Sequence, residues 1–118
     1  MDYVNLQYGT SEKTIDQIEF HFSTLLDICF EKRSSDYFGN YSIYKGLFAD
    51  KIKIQNNYLK FSDDYGNSNY KNLTVIVDIL IEGRSKDVKS RTKIMTDLIK
   101  KHMTYLELLA PPAGPSVF

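Results

Sequence analysis

The chain has 118 residues, a length typical of a single domain, and its fifteen basic side chains balance its fifteen acidic ones. This balance excludes a general electrostatic preference for nucleic acid or for an anionic membrane surface. The single cysteine excludes an internal disulfide, and no stretch has the roughly 18 apolar residues of a membrane span.

The two ends of the chain differ in composition from its middle. The opening MDYVNLQYG has neither the basic start nor the apolar run of a signal peptide, which, with one cysteine, predicts a cytoplasmic protein. The closing residues 110–118, APPAGPSVF, hold all three prolines of the chain. We interpret them as a flexible extension or an added, non-native segment that follows a single domain of residues 1–109.

The first part of the chain predicts a strand and then a long amphipathic helix. Residues 3–8 alternate between apolar and polar side chains, as in a short strand. From about residue 12 to residue 32 the apolar spacing is helical, and Thr14 with Gln17 fits a capping box. The apolar stripe consists of Ile15, Ile18, Phe22, Leu25, Leu26 and Cys29. Its last member is therefore expected to be a buried, unreactive thiol.

The middle of the chain predicts β structure. Four candidate strands lie at residues 37–48, 51–55, 58–62 and 74–81. Asn56 and Asn57 are typical of a turn between the second and third of these, and residues 63–72 predict a long polar loop. The fourth run, TVIVDILI, is the richest in β-branched residues, so we expect a central, buried strand that Gly83 ends.

The last part predicts a second amphipathic helix at residues 86–104, after which residues 105–109 either continue the helix or form a final short strand. Short connections between successive strands favour antiparallel pairing. The sequence therefore predicts an α+β protein with an N-terminal amphipathic helix, a mainly antiparallel sheet of four to five strands and a C-terminal helix.

The sequence contains no recognisable catalytic or cofactor motif. His21 and His102 lie on different predicted helices, and Cys29 is eight residues from His21 on the same helix, too far for a nucleophile–base pair. One cysteine and two distant histidines do not form a zinc pattern, and no phosphate-binding loop is present. We expect no enzyme, metal or cofactor; an unrecognised active site would require His21 or His102 in a cleft.

The two predicted helices carry opposite charge. The polar face of the first consists of Glu12, Asp16, Glu19, Ser23, Asp27 and Glu31, which we call the acidic ridge. Basic residues cluster in and beside the second, at Arg84, Lys86, Lys89, Arg91, Lys93, Lys100 and Lys101. The basic helix supports a second hypothesis, a nucleic-acid-binding or regulatory module. A sequence pI near 6.7 makes nucleic acid an unlikely partner.

Tyrosines are concentrated between residues 37 and 70, where they alternate with acidic and amide residues. They are Tyr37, Tyr41, Tyr44, Tyr58, Tyr65 and Tyr70, and Asp63 and Asp64 lie among them. Tyrosine combines a large ring with a polar end at low entropic cost, which makes it common in protein interfaces. The same pattern is also typical of a solvated sheet face, and for Tyr37, Tyr41 and Tyr44 both interpretations stay open.

The order of these elements resembles a known family. The run LLDICFEKRSSDYFGNYSIYKG is followed by IKIQNN, a polar loop, LTVIVDILIEG, a helix and LELL, which together cover residues 25–109. This is similar to small immunity proteins of bacterial polymorphic toxin systems, including contact-dependent growth inhibition. In that family a first helix leads into a serine-, tyrosine- and glycine-containing segment, which Ser35, Tyr37, Gly39 and Tyr41 match here.

The resemblance implies a protein that is not an enzyme but binds a cognate toxin in the cytoplasm and blocks its active site or its target contacts. Many such toxins are nucleases, some directed at transfer RNA. We expect the toxin to contact Asp63 and Asp64 with the neighbouring tyrosines, because aromatic anchors beside charges make strong binding sites. The acidic ridge, with Glu12, Asp16, Glu19 and Asp27, is the second choice. The oligomeric state is not predicted.

Overall fold

A computed structural model describes residues 1–109 of the chain, so the proline-rich segment 110–118 lies outside the described residues. The strands are β1 (Asp2–Thr10), β2 (Glu31–Ser35), β3 (Gly39–Tyr44), β4 (Lys51–Asn56), β5 (Tyr58–Leu59), β6 (Asp64–Tyr65), β7 (Val75–Gly83) and β8 (Glu107–Leu108). The helices are α1 (Ile15–Leu26) and α2 (Ser85–His102), and a short 3-10 turn covers Ser68–Tyr70.

The described residues form one six-stranded sheet in the order β2-β3-β4-β7-β1-β8, and every neighbouring pair is antiparallel. The predicted α+β class with a mainly antiparallel sheet is confirmed. The strand number is larger than the predicted four to five, because β2 was not predicted as a strand and the strand at residues 105–109 was only one of two alternatives. β7 pairs with β1 and β4 and ends at Gly83, which confirms the predicted central strand.

Both helices pack on the same face of the sheet. Alternate residues of the central strands point to that face, so that Ile79 lies between Leu6 on β1 and Ile52 on β4. Buried side chains of α1 and α2, including Phe22 and Met95, join the same apolar cluster. This arrangement leaves the other face of the sheet free of helices, and we call it the open face.

Helix α1 is shorter than predicted, and this changes two expectations. The capping box of Thr14 and Gln17 is present, and Asp27 ends the helix in a left-handed conformation with φ 53°. Cys29 therefore follows the helix and is exposed, so the prediction of a buried thiol is wrong. The acidic ridge is not one helical face either, because Glu31 begins β2.

The β structure between residues 31 and 65 also differs from the prediction. Residues 37–48 are not a single strand: β2 and β3 form a hairpin in which Ser35 pairs with Gly39, and the glycine takes φ +69°, a conformation that favours glycine. Asn57 does not form a tight turn that returns the chain along β4. Instead the chain leaves the large sheet, and β5 and β6 pair only with each other.

The end of the described chain resolves the alternative left open for residues 105–109. They do not extend α2, which ends at His102; Glu107 and Leu108 form β8 and pair with Gly9 and Tyr8 of β1. The backbone N–H of Leu109 then donates to the carbonyl of Gln7 at 2.8 Å. This short strand lies at one edge of the sheet, and β2 lies at the other.

Candidate functional site: a surface formed by two hairpins

The tips of two hairpins, β2–β3 and β5–β6, lie against each other. The hydroxyl of Tyr37, at the first tip, donates to Asp64 Oδ2 on the second at 3.1 Å. Ser62 Oγ donates to the carbonyl of Tyr37 at 3.3 Å. The surface formed in this way, which we call the hairpin surface, consists of Tyr37, Phe38, Tyr58, Phe61, Asp63, Asp64 and Tyr65.

The two aspartates are held in place by local hydrogen bonds. Asp63 has φ 49°, a left-handed conformation that aspartate and asparagine tolerate better than most residues, and its carboxylate accepts from the Tyr58 hydroxyl at 2.8 Å. Asp64 accepts from the backbone N–H of Tyr65 at 2.8 Å through its other oxygen. Both carboxylates therefore have a defined orientation before any partner binds.

These carboxylates also change the pKa of the two tyrosines that donate hydrogen bonds to them. A hydrogen bond to Asp63 raises the pKa of Tyr58, and a hydrogen bond to Asp64 raises that of Tyr37, because ionising the phenol would place two negative charges together. Both phenols therefore keep their protons at neutral pH and act as donors. The carboxylate oxygens retain lone pairs that a cationic or N–H group of a partner can use.

The rings of the hairpin surface are unusually accessible. Phe61 is 69% exposed, and Tyr37 and Tyr58 are each 47% exposed. Tyr58 and Tyr65 face each other across the β5–β6 pair with centroids 5.4 Å apart. Beside them lies a cleft of about 560 Å³, which Phe38, Tyr58, Lys60, Phe61, Tyr65 and Lys71 line in part. Sequence reasoning missed Phe38 and Phe61, because neither differs in pattern from a phenylalanine of a buried strand.

Tyr41 borders this surface from the open face of the sheet. Its ring lies 5.9 Å from that of Phe38, and Lys53 Nζ lies 3.0 Å from the Phe38 centroid and 4.9 Å from that of Tyr41. Partial burial lowers the pKa of Lys53, because it disfavours the charged ammonium. The faces of the two rings attract this cation and hold it in place. These contacts connect the β2–β3 hairpin tip to the middle of the sheet.

Tyr44 and Tyr70 lie away from the hairpin surface. Tyr44 is on the helix-covered side of β3, where its ring packs against Phe30 at a centroid distance of 5.8 Å. Tyr70 packs against a second apolar cluster of Leu73, Ile76 and Leu109. Of the eight residues predicted for toxin binding, the structure thus brings together Tyr37, Tyr58, Asp63, Asp64 and Tyr65, with Tyr41 at the border.

Residues 57–74 carry five of the seven residues of the hairpin surface, and Asn57 holds this segment together. Its side chain is fully buried and makes three hydrogen bonds at 2.8 to 2.9 Å: Nδ2 donates to the carbonyls of Tyr70 and Leu73, and Oδ1 accepts from the N–H of Asn67. Gly66 lies in the same tightly packed region, since a Cβ at this position would lie 2.7 Å from Gln55 Nε2. No pattern in the sequence distinguishes this asparagine from an ordinary turn residue.

A polar row on the open face connects the same segment to the sheet. Asn67 Nδ2 donates to Gln7 Oε1 at 2.6 Å, and Gln7 Nε2 donates to Asp78 Oδ1 at 2.7 Å. Burial raises the pKa of the Asp78 carboxyl, and the Gln7 bond and the nearby Lys53 oppose this only in part. The 57–74 segment is therefore attached to β1 and β7 through polar side chains.

The acidic residues of the second-choice site do not form one surface. Asp16 and Glu19 both face Lys32 of β2, whose Nζ lies 2.5 and 3.6 Å from their carboxylates. Glu12 precedes α1 and Asp27 caps its other end. Lys32 therefore offsets one of the two negative charges on this part of the helix face.

The two histidines line one cleft, of about 440 Å³, between α1 and the end of α2. His21 Nδ1 lies 2.9 Å from the hydroxyl of Tyr105, whose pKa burial raises to about 12. Phe20 and Lys13 also line the cleft, but none of its lining residues has a carboxylate or a thiol. Catalysis there would depend on the two imidazoles without an acid to orient them.

The basic residues of α2 divide between two sides of the helix. Arg91 is engaged within the protein: its guanidinium donates to the carbonyls of Leu47 and Glu82 and to Asp50 Oδ2, at 3.2 to 3.3 Å. Lys89 and Lys93 are two residues away, about 200° around the helix, and are exposed on the other side.

Within residues 1–109, no group of three or more histidine, cysteine, aspartate or glutamate side chains is arranged to hold a metal ion. Neither described helix is long and apolar enough to cross a bilayer. Comparisons with known proteins give no match for this chain among protein-family models, curated proteins or solved structures.

Proposed function

We propose that this chain is an immunity protein that binds a cognate toxin in the cytoplasm of the producing cell and blocks the toxin's active site or its contacts with its target. The observation that carries the proposal is the hairpin surface, in which exposed rings surround two oriented carboxylates. The likeness of residues 25–109 to small immunity proteins supports the same function.

The chemistry of this surface suits a cationic protein partner. A nuclease holds phosphates with basic groups, so an inhibitor that presents Asp63 and Asp64 is steered toward them. Tyr37 and Tyr58 hold these carboxylates in position, and Phe61 supplies exposed apolar area beside them. We therefore propose a nuclease as the toxin, with transfer RNA as one candidate target.

The first experiment is co-expression with the product of the adjacent upstream reading frame. With one of the two proteins tagged, we expect them to elute as a single complex at high salt and the chain to restore growth of cells that produce the toxin. Separate elution together with no growth rescue would reject the proposed function.

Substitutions at the hairpin surface test the binding site. Asp63→Lys with Asp64→Lys is expected to weaken toxin binding by about 2–5 kcal/mol, the scale of lost interfacial charge pairs. Asp87→Lys with Glu107→Lys makes the same change in net charge at two exposed positions outside both candidate sites and is expected to leave the affinity nearly unchanged. Calorimetric titration measures both.

A neutral variant separates the charge from the local structure. Asp63→Asn with Asp64→Asn keeps oxygens that accept from the Tyr58 and Tyr37 hydroxyls, and asparagine tolerates the left-handed backbone at position 63. If charge is what binds the toxin, this variant also loses affinity while its thermal stability is unchanged. Equal affinities for the neutral variant and the wild type would move the site away from these carboxylates.

A further inference from the structure

The outer edge of β1 is open along the first half of the strand. On its inner side β1 pairs with β7 over its whole length, Asp2–Thr10. On its outer side β8 pairs only with Tyr8 and Gly9, and Leu109 adds one bond to Gln7. Among residues 1–109, no strand lies beside the outer edge of residues 2–6.

The hydrogen bonds already present show which backbone groups are available there. The carbonyl of Gln7 accepts from Leu109 on the outer side, and the carbonyl of Thr10 accepts from Thr74 on the inner side. Because these directions alternate along a strand, the N–H and C=O groups of Tyr3 and Asn5 point outward. Within residues 1–109, these two residues therefore offer four backbone groups at the edge that pair with no strand.

The sequence that follows Leu109 does not favour extension of the β8 ladder along this edge. In the register set by Leu109 opposite Gln7, the residue opposite Asn5 would be number 111, which is proline. Proline has no N–H to donate to the Asn5 carbonyl. A ladder extended in this register would therefore lack the bond to the Asn5 carbonyl.

The opposite edge of the sheet is protected in a way that the β1 edge is not. Strand β2 carries Glu31, Lys32 and Arg33 in succession, and such charges discourage the addition of another strand. From Tyr3 to Leu6, β1 reads YVNL and has no charge, proline or glycine. One edge is thus open to strand addition, and the other is not.

Exposed lysines of α2 flank the open edge. The helix starts beside the start of β1, where Ser85 Oγ contacts the Asp2 carboxylate. Arg91 faces the β4 side of β7, and α2 packs on both β7 and β1. Lys89 lies about 100° around the helix from the buried Val88, on the side away from Arg91 and so on the β1 side. Lys93 lies on the same side, turned further toward solvent. Lys93 pairs with Asp97 at 2.8 Å, whereas Lys89 has no ion pair within residues 1–109.

We propose that this edge binds an extended acidic segment of a protein partner, whose backbone pairs with Tyr3 and Asn5 and whose carboxylates face Lys89 and Lys93. Strand addition uses the unpaired backbone groups, and the lysines supply the charge preference. A second copy of this chain fits less well, since pairing two β1 edges brings the lysines of both copies together. A nucleic acid would leave the backbone groups of the edge unused.

The probe is an eight-residue peptide that alternates glutamate and valine, which places all its carboxylates on one face; a lysine–valine peptide of the same length is the control. In an NMR titration of the full chain, we expect the glutamate peptide to shift the amide signals of Tyr3 and Asn5 but not that of Arg33 on the β2 edge. The lysine peptide is expected to shift none of them.

Two variants test the mechanism. Asn5→Pro removes one outward N–H without removing a bond to β7, and Lys89→Glu with Lys93→Glu reverses the charge beside the edge. Each is expected to weaken peptide binding by about tenfold or more. The matched control, Lys45→Glu with Lys101→Glu, changes two exposed lysines elsewhere and should bind like the wild type. If Asn5→Pro lowers the thermal stability, the charge-reversal pair decides the test alone.

Four outcomes would overturn the proposal. The first is equal binding of the two peptides, and the second is peptide binding that the variants leave unchanged. The third is a shift of the Tyr3 and Asn5 signals with protein concentration alone, which would identify a second copy of the chain as the occupant. The fourth is an RNA oligonucleotide that shifts the Lys89 and Lys93 signals when the glutamate peptide does not. All four are independent of toxin binding, which has its own site and test.

Discussion

The central sheet with its two helices and the 57–74 segment are held in place by different forces. In the first region, apolar side chains such as Phe22, Ile79 and Met95 are almost completely buried in one cluster. In the second, exposed rings and carboxylates sit on a short hairpin, and a single buried asparagine bonds residues of the same segment to one another.

This difference separates stability from recognition. Burial of apolar area is non-directional and adds up over many residues, so the central region determines the free energy of unfolding. Hydrogen bonds in the 57–74 segment are directional and few. Those of Asn57 hold the segment together. Those of Ser62, Asp64 and Asn67 to Tyr37 and Gln7 position it against the rest of the protein. A change in the first region is therefore expected to unfold the whole molecule, and a change in the second to displace only the surface.

The largest effect is expected for Phe22→Ala in the central region. Phe22 is fully buried, and removing its ring leaves a cavity that costs about 3–5 kcal/mol of unfolding free energy. Phe20→Ala is the matched control: the same substitution two residues away on a ring that is 73% exposed should cost about 0.5 kcal/mol or less. Urea unfolding measures both, and equal losses would contradict the packing of α1 described here.

A smaller and more local effect is expected for Asn57→Ala. The substitution removes the side-chain partner of the Leu73 carbonyl and of the Asn67 N–H, at a cost of about 1–3 kcal/mol. The Tyr70 carbonyl loses one bond and keeps the one from the Leu73 N–H. We expect faster hydrogen exchange of the Gly66 and Asn67 amides with little change at the amides of β7.

The neighbouring Asn56, which is exposed, provides the control for this prediction. Asn56→Ala should leave the exchange rates of the 57–74 segment unchanged. If Asn57→Ala instead accelerated exchange of β7 as much as that of Gly66, the segment and the sheet would unfold as one unit. The distinction between the two regions would then fail.

The same division explains what could be predicted from the sequence. Apolar periodicity is a property of many residues, so the strand at 74–81 and the stripe of Ile18 and Phe22 were identified from it correctly. The end of α1 was missed because it depends on one residue, Asp27, in a left-handed conformation. The sequence gives no periodic signal for such a stop.

The candidate site was predictable in composition but not in arrangement. A concentration of tyrosine and aspartate marked the part of the chain that forms the hairpin surface. Strand alternation places Tyr41 and Tyr44 on opposite faces, but only the pairing register shows which of the two faces the helices. Asn57 was classed as a turn residue, since its role depends on contacts with residues 10 to 16 positions away in the chain. Long-range hydrogen bonds of this kind leave no local pattern.

The smallest effect on stability is expected at Asp78, where the two regions meet. Burial raises the pKa of this carboxyl above its value in the unfolded chain, so the folded protein binds the proton more readily. The contribution of this proton to stability is present below the unfolded pKa and is lost as the pH rises through the raised folded pKa. At neutral pH the buried charge of Asp78 therefore lowers the stability of the folded protein.

Asp78→Asn removes this charge and keeps an oxygen that accepts from Gln7 Nε2, so the link to the 57–74 segment stays intact. Between about pH 7 and about pH 4.5, we expect the wild type to gain stability relative to this variant, as measured by urea unfolding. Asp87→Asn, at an exposed position, should follow the wild type over the same range. The opposite result would be a loss of wild-type stability relative to Asp78→Asn on acidification. It would mean that Lys53 holds the Asp78 carboxylate as an ion pair. The polar row would then stabilise the sheet through charge instead of through its hydrogen bonds.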